Sequence, residues 1–267
     1  MHKTIFQAIE NKILSSDEII GIFYTGSTAT GKFDEFSDLD IYLVTNSCQI
    51  TLIDNLLEFI SSRWAVRFFN KTMDSLSVYI QDDFFKLEIH ILGMSDLKPG
   101  HRMKDARIVK DQNDSLSQIK KISQSWNVKI SYEDITNFFI DQRESQLYVA
   151  RHTARGWKWS AMGDANYQGE QLFYLLARLK GRLQYGFREA EYFLTAEELK
   201  LLSATRCHTP ETQEIYRAMK ANWTFMKYIE DYYNNQNSKK LKISTPDQEL
   251  LDYINELYLR ARSVDYK

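Results

Sequence analysis

The segment Ser37-Asp-Leu-Asp-Ile-Tyr-Leu-Val44 constrains this chain more than any other. Its apolar and β-branched content predicts a strand over Leu39–Thr45. On a strand, residues two apart point to the same face. Asp38 and Asp40 therefore project together, while Leu39, Ile41 and Leu43 face a core. Two carboxylates side by side repel unless they share a proton or bind a cation. An oxygen-preferring ion such as Mg²⁺ relieves that repulsion and in turn holds phosphates.

What surrounds this strand points the same way. Ile19 to Thr25 reads as a buried strand ending in a Gly26-Ser27 turn. Gly26 permits a tight backbone close to a ligand, and Ser27 adds a hydroxyl and backbone N–H groups suited to phosphate oxygens. A third acid comes later, in Phe84-Phe-Lys-Leu-Glu-Ile-His-Ile-Leu92. From Phe85 on, this segment alternates: Lys86, Glu88 and His90 share one face, and Leu87, Ile89 and Ile91 the other. Placed beside Leu39–Val44, Glu88 meets the two aspartates. There it would bind a second metal ion or accept a proton from an attacking hydroxyl. A rival motif occupies the same stretch, since Gly26-x-x-x-x-Gly31-Lys32 approaches a phosphate-binding P-loop. That motif needs Ser or Thr after the lysine and then a helix. Phe33 stands there instead, and the chain leads into a strand.

The expected fold class is α+β, a mixed-sheet domain over residues 1–118 followed by an all-α bundle over 131–267. In the first part, helices are predicted over Thr4–Leu14 and Thr51–Ser62. Further strands are predicted over Val66–Phe69, Ser77–Ile80, Phe84–Leu92 and Arg107–Val109, with a turn at Asp111–Asp114. From Tyr132 the periodicity is helical throughout. Ser131 with Asp134, and Thr195 with Glu198, have the spacing of capping boxes. The first long helix is expected to run to Ala161, with a break at Gly163–Asn166 and a second helix ending near Tyr185. Others follow over Pro210–Tyr233 and Asp247–Arg262, joined by a polar loop at Asn234–Pro246.

Composition excludes several function classes. A formal net charge of −2 leaves no electrostatic footprint for nucleic acid. The short run Lys239-Lys-Leu-Lys242 reads as a solvated linker. Cys48 and Cys207 lie too far apart for a disulfide framework or zinc spacing. No stretch approaches the ~20 apolar residues of a membrane helix, and Met1–Glu10 has no continuous apolar run, so a cytoplasmic protein is expected.

Thr25-Gly-Ser-Thr-Ala-Thr-Gly-Lys-Phe-Asp-Glu-Phe-Ser-Asp-Leu-Asp-Ile-Tyr-Leu-Val44 resembles the signature of the polymerase-beta-type nucleotidyltransferase superfamily. Within it, the chain is most similar to antibiotic nucleotidyltransferases of the lincosamide and aminoglycoside kinds. Ala106 to Leu116 looks like the strand and turn that close the catalytic domain there. The resemblance implies that Asp38 and Asp40 bind Mg²⁺, with two ions in the site. It implies that Glu88 is the third acid, general base to the acceptor hydroxyl, and that Gly26, Ser27 and Ser37 hold the nucleoside triphosphate. It also implies a homodimer, and a helical half that binds substrate or dimerises. His90 has no counterpart in the pattern and reads as a sheet histidine.

The reaction so implied is attack of a small-molecule hydroxyl on the α-phosphorus of a nucleoside triphosphate, with release of pyrophosphate. Arg155, Lys158, Arg178, Lys180 and Arg182 are weak candidates to meet the phosphates. Asp141, Glu144 and Glu170 would suit a cationic acceptor. Tyr148, Trp157, Trp159, Tyr167, Phe173 and Tyr174 would suit an apolar one, although bundle core is expected for at least half of them. Two other readings stand beside this one. Transfer to protein or RNA fits smaller or more basic chains better. A non-catalytic nucleotide-binding module would have no need of three converging acids.

Overall fold

The computed structural model describes residues 2–31, 33–34, 37–46, 49–80, 84–183, 186–243 and 247–265. The chain divides into two compact units, Met1–Asn127 and Val128–Lys267. The fold is α+β, a mixed sheet in the first half followed by a helical region.

The first unit runs α1 (His2–Leu14), β1 (Ile19–Tyr24), α2 (Gly26–Thr30), β2 (Leu39–Thr45), α3 (Gln49–Ser61), β3 (Val66–Lys71), β4 (Ser75–Ile80) and β5 (Phe85–Gly93). A 3₁₀ turn (Met94–Asp96), α4 (His101–Lys104), β6 (Arg107–Asp111) and α5 (Ser115–Gln124) complete it. The described strands form a six-stranded sheet in the order β3-β4-β5-β2-β1-β6. β2 and β5 pair parallel, and the remaining pairs are antiparallel. A parallel pair needs a long crossover, and α3, β3 and β4 provide it.

Alternation decides which face each strand buries. Leu39, Ile41 and Leu43 of β2 and Leu87, Ile89 and Ile91 of β5 are fully buried. They pack with Ile5, Ile9 and Ile13 of α1 and Leu52, Ile53, Leu56 and Ile60 of α3. Each such side chain contributes about 1.5–3 kcal/mol on burial, so this layer fixes the register of both strands. The opposite face is only partly covered, by Met103, Ala106 and Leu116 over Phe23, Tyr42 and Val44. The rest of that face holds the polar side chains of β5.

Helix α5, Ser115–Gln124, lies within the first unit, which ends at Asn127. The carboxylate of Asp111 accepts bonds from Leu116 N (3.2 Å), Ser117 N (2.8 Å) and Ser117 Oγ (2.8 Å). Leu116 then seats against Gly21, where a Cβ would stand 2.8 Å from Leu116 Cδ1. The capping acid lies four residues before the helix, outside the usual spacing, so the sequence shows only a turn at Asp111–Asp114.

The second unit contains α6 (Tyr132–Ala154), α7 (Lys158–Leu179), α8 (Ala190–Phe193), α9 (Ala196–Ala204), α10 (Thr212–Gln236) and α11 (Asp247–Asp265). Both predicted capping boxes form, at Ser131/Asp134 and Thr195/Glu198. The predicted break at Gly163–Asn166 does not: those residues lie inside α7. The chain breaks at Gly156 instead, which has φ +78°. Trp157 N bonds His152 O (2.9 Å) and Gly156 N bonds Thr153 O (3.0 Å), the bond pair of a Schellman motif. Gly163 is tolerated at roughly 1 kcal/mol, because Ala161 and Ala165 bury the helix around it. α7 ends at Leu179, short of the predicted end near Tyr185, which lies outside the described residues. Cys207 is buried and free, and Cys48 lies outside the described residues. Among the described residues, no helix is long and apolar enough to cross a membrane.

Candidate active site

The site is built by one register. In the parallel β2–β5 pair, Asp40 is the direct partner of Glu88, and Tyr42 is the partner of His90. Neighbouring strands lie about 4.8 Å apart, so the two carboxyls emerge side by side on the partly open face. Asp38 stands two residues before Asp40, just ahead of β2.

Gly26 closes the site from β1. It has φ +60°, and a Cβ there would lie 3.2 Å from Asp40 Oδ2. The Gly-Ser segment is not an open turn: Gly26–Thr30 forms the short helix α2, ended by Gly31 at φ +74°. Ser27 is half-buried on it. Thr28 Oγ1 is buried with no hydrogen-bond partner among the described residues. Lys32, the lysine of the rejected P-loop reading, lies outside the described residues. Ser37, expected at the nucleotide, is engaged locally. Its Oγ donates to Asp34 Oδ1 (2.7 Å) and accepts from Asp34 N (3.0 Å).

Three side chains that the sequence reading left without a role join the acids. The Lys86 ammonium bonds Glu88 Oε2 and lies 3.9 Å from Asp38 Oδ2. His90 Nε2 is 3.4 Å from Glu88 Oε1. The His90 ring stacks on Tyr42 at 4.6 Å, and Tyr42 stacks on Phe23 at 4.8 Å. Arg102 of α4 sits over Tyr42, 5.9 Å from the ring centre. Alternation had put Lys86 and His90 on the face of Glu88, so their presence was legible. Arg102 carried no sequence signal, because only the fold brings α4 to this face.

The charges are unevenly settled. Burial pushes the Asp40 carboxyl above the usual aspartate range, and the charges of Glu88 and Asp38 push it further. No hydrogen bond reaches the Asp40 carboxylate among the described residues. Glu88 goes the other way. Burial alone would raise it, but the Lys86 hydrogen bond and charge, with His90 and Arg102, hold it below the usual range. Burial, with Arg102 nearby, lowers His90 against the pull of Glu88, so the imidazole is neutral at pH 7.

Among the described residues, no group of three or more His, Cys, Asp or Glu side chains is placed to hold a metal ion. The donor chemistry nonetheless fits a hard divalent ion. All three acids offer oxygen, and Asp40 is a half-buried carboxylate with no donor among the described residues and two like charges beside it. An ion held by Asp38 and Asp40 would supply the missing counter-charge.

The candidates in the second unit fare unevenly. Lys180, named for phosphate, bonds the buried Glu198 at 2.7 Å. Arg182 pairs with Glu189 at 3.7 Å, and Arg155 lies over Trp157. Arg178, Asp141 and Glu144 are exposed, and Glu170 accepts from Tyr174. The expectation that at least half of the six aromatics form core is corrected. Phe173 is buried, but Tyr148, Trp157, Trp159 and Tyr167 are each more than half exposed. Tyr148, Trp159 and Tyr167 lie on the outer sides of α6 and α7, where helical spacing and core spacing coincide in sequence, and Trp157 sits at the start of α7.

Residues 8–106 match the family described as "Nucleotidyltransferase domain". The first unit thus carries a nucleotidyltransferase domain, and nucleotide transfer is the activity that such a domain supports. No curated protein matches the chain. Among solved structures, a nucleotidyltransferase-like protein from Exiguobacterium sibiricum is similar at 15% identity and a TM-score of 0.41, over 90% of this chain and 81% of that one. The STING-associated CdnE c-di-GMP synthase from Capnocytophaga granulosa is similar at 10% identity and TM-score 0.31, over 98% and 81%. The CD-NTase CdnG from Bradyrhizobium diazoefficiens, in complex with GTP, is similar at 11% identity and TM-score 0.28, over 98% and 85%. Likeness at this level carries no inference about substrate.

Proposed function

We propose that the protein transfers a nucleoside monophosphate from a nucleoside triphosphate to a hydroxyl of a small molecule, releasing pyrophosphate. The observation that carries this reading is the pairing of Asp40 with Glu88, beside Asp38 and beneath the Gly26 backbone, inside a nucleotidyltransferase domain. Asp38 and Asp40 hold Mg²⁺, and Gly26 and Ser27 lie against the triphosphate. When bound, one or two such ions neutralise phosphate charge and stabilise the entering and leaving oxygens.

Glu88 takes the proton of the acceptor hydroxyl. The hydroxyl oxygen forms a bond to the α-phosphorus as the bond from that phosphorus to the β-phosphate oxygen breaks, and pyrophosphate leaves with that oxygen. Little covalent work falls to the protein, so positioning and charge neutralisation dominate. Ser37 keeps the approach to β2 in shape through Asp34 rather than touching nucleotide.

For the acceptor, the antibiotic class implied by the resemblance remains the one to try first. The test is incubation with Mg²⁺, each of the four nucleoside triphosphates and a panel of lincosamides, aminoglycosides and other hydroxyl compounds. Mass spectrometry should find an acceptor heavier by one nucleoside monophosphate, together with pyrophosphate, and neither product with Asp40→Asn. Failure with every pair of nucleotide and small molecule would sink the reading.

A further inference from the structure

We propose that Lys86 is the internal counter-ion of the acid cluster, bridging Glu88 and Asp38 while no divalent ion is bound and leaving when the ion enters. This rests on the reading given above, in which Asp38 and Asp40 hold the ion and Glu88 is the base.

The geometry singles Lys86 out. Residues 86 and 88 share the site face of β5, so the ammonium reaches Glu88 on its own strand. The same ammonium lies 3.9 Å from Asp38 Oδ2, ahead of β2. One cation thus spans both sides of the group that would hold the ion. Its side chain is only 24% exposed, and the ring of Tyr79, its cross-strand partner, belongs to the neighbouring strand on the same face.

The charge balance is incomplete in this arrangement. Three carboxylates share the one ammonium that bonds them, with the Arg102 guanidinium farther off over Tyr42, and Asp40 receives no hydrogen bond from a described residue. Lys86 serves Glu88 and Asp38; an ion on Asp38 and Asp40 serves the acid to which no described residue donates a hydrogen bond. Both cations draw on Asp38, so they compete. A compact charge on a flexible four-carbon stem is well suited to swing out. While it is in place, the measured ion affinity falls by the fraction of molecules with the site open. Its departure also releases Glu88 Oε2, so the base becomes available only once the ion has arrived. A simple same-face ion pair, without any such exchange, would leave ion binding indifferent to Lys86.

The experiment uses Mn²⁺ as the probe, titrated into the full chain by calorimetry. Lys86→Met should bind Mn²⁺ roughly tenfold more tightly than the wild type, or better. Lys86→Arg should stay near the wild type, and Asp40→Asn should lose binding. In the unmodified protein, amine acylation at Lys86, read by peptide mass spectrometry, should rise severalfold on addition of Mg²⁺. That measurement decides the matter should Lys86→Met fail to fold. Equal or weaker Mn²⁺ binding in a folded Lys86→Met, with Asp40→Asn still abolishing binding, would overturn the counter-ion role and leave the metal site standing. Unchanged acylation with saturating Mg²⁺ would overturn it as well. No saturable Mn²⁺ binding by the wild type would overturn both readings.

Discussion

Asp40 and Glu88 are direct partners across the parallel β2–β5 pair, yet their carboxyls are shifted in opposite directions, Asp40 up and Glu88 down. The difference lies in what each meets. Glu88 has the Lys86 ammonium on one oxygen, whereas Asp40 has burial, two like charges and the Gly26 backbone. Two acids made unequal by their surroundings are suited to different tasks. Asp40, to which no described residue donates a hydrogen bond, is suited to a cation, and Glu88, with its removable partner, is suited to take a proton.

Asp40→Asn tests the first task. The amide keeps the shape and removes a charge that no donor among the described residues serves. Turnover should fall by about 100-fold or more, while the melting temperature of the ion-free protein holds or rises. A large loss of melting temperature would show that the carboxylate is a structural group instead.

Glu88→Gln tests the second. Turnover should drop by roughly 10²–10⁴-fold with nucleotide affinity nearly kept, because the change removes the proton acceptor and leaves both aspartates. Rapid-quench kinetics together with equilibrium nucleotide binding separate the two effects. Near-normal turnover would remove Glu88 from the mechanism.

Gly26→Ala should impair function more than folding. A Cβ at φ +60° costs on the order of 1–2 kcal/mol, and here it would stand 3.2 Å from Asp40 Oδ2. The carboxylate must shift to make room. Mn²⁺ affinity is the measurement that checks this, and unchanged affinity with the expected loss in stability would confine Gly26 to a backbone role.

The pH dependence of stability should reveal the Lys86–Glu88 pair. Glu88 is lowered on folding, so its contribution is present above about pH 4.3 and is lost as pH falls through the folded value. Lys86 is raised against the effect of burial by its bond to Glu88. Its contribution is therefore present below about pH 10.4 and is lost as pH rises through the folded value. The stability difference between wild type and Lys86→Met should be greatest between those limits and shrink toward both. Asp40, raised on folding, works in reverse: its charge costs stability at neutral pH, and acid relieves the cost. Urea unfolding across the pH range would expose both trends, and a difference flat with pH would contradict them.

In the second unit, Lys180→Met should destabilise by about 3–5 kcal/mol. Glu198 is 1% exposed, and its carboxylate is held by Lys180, Thr195 N and Tyr228. Removing the ammonium strands a buried charge. Lys180→Met combined with Glu198→Gln should recover part of the loss. A denaturation midpoint that barely moves would mean that the pair is solvated in solution.

The local elements were legible because their signals are local. The strand Leu39–Thr45 forms over the predicted residues, the Leu87/Ile89/Ile91 face is buried, and both capping boxes close. Alternation and capping depend on neighbours within a few residues, and the sequence displays them directly. Helix α5 was missed because its capping acid is set back from the helix. The α6–α7 break was misplaced because Gly156 ends a helix by its backbone conformation, whereas Gly163 does not.

The sequence by itself determined which residue types share a face: Asp38 with Asp40, and Lys86 with Glu88 and His90. It also determined that each set lies opposite an apolar stripe. Only the tertiary structure decided that Asp40 pairs with Glu88, that Lys86 reaches Asp38, and that Gly26 closes over the carboxylate. The reason is physical. A strand's periodicity fixes its own faces, but its partner and register are set by burying one apolar layer beneath α1 and α3. The charges on the other face then meet whatever that register brings them.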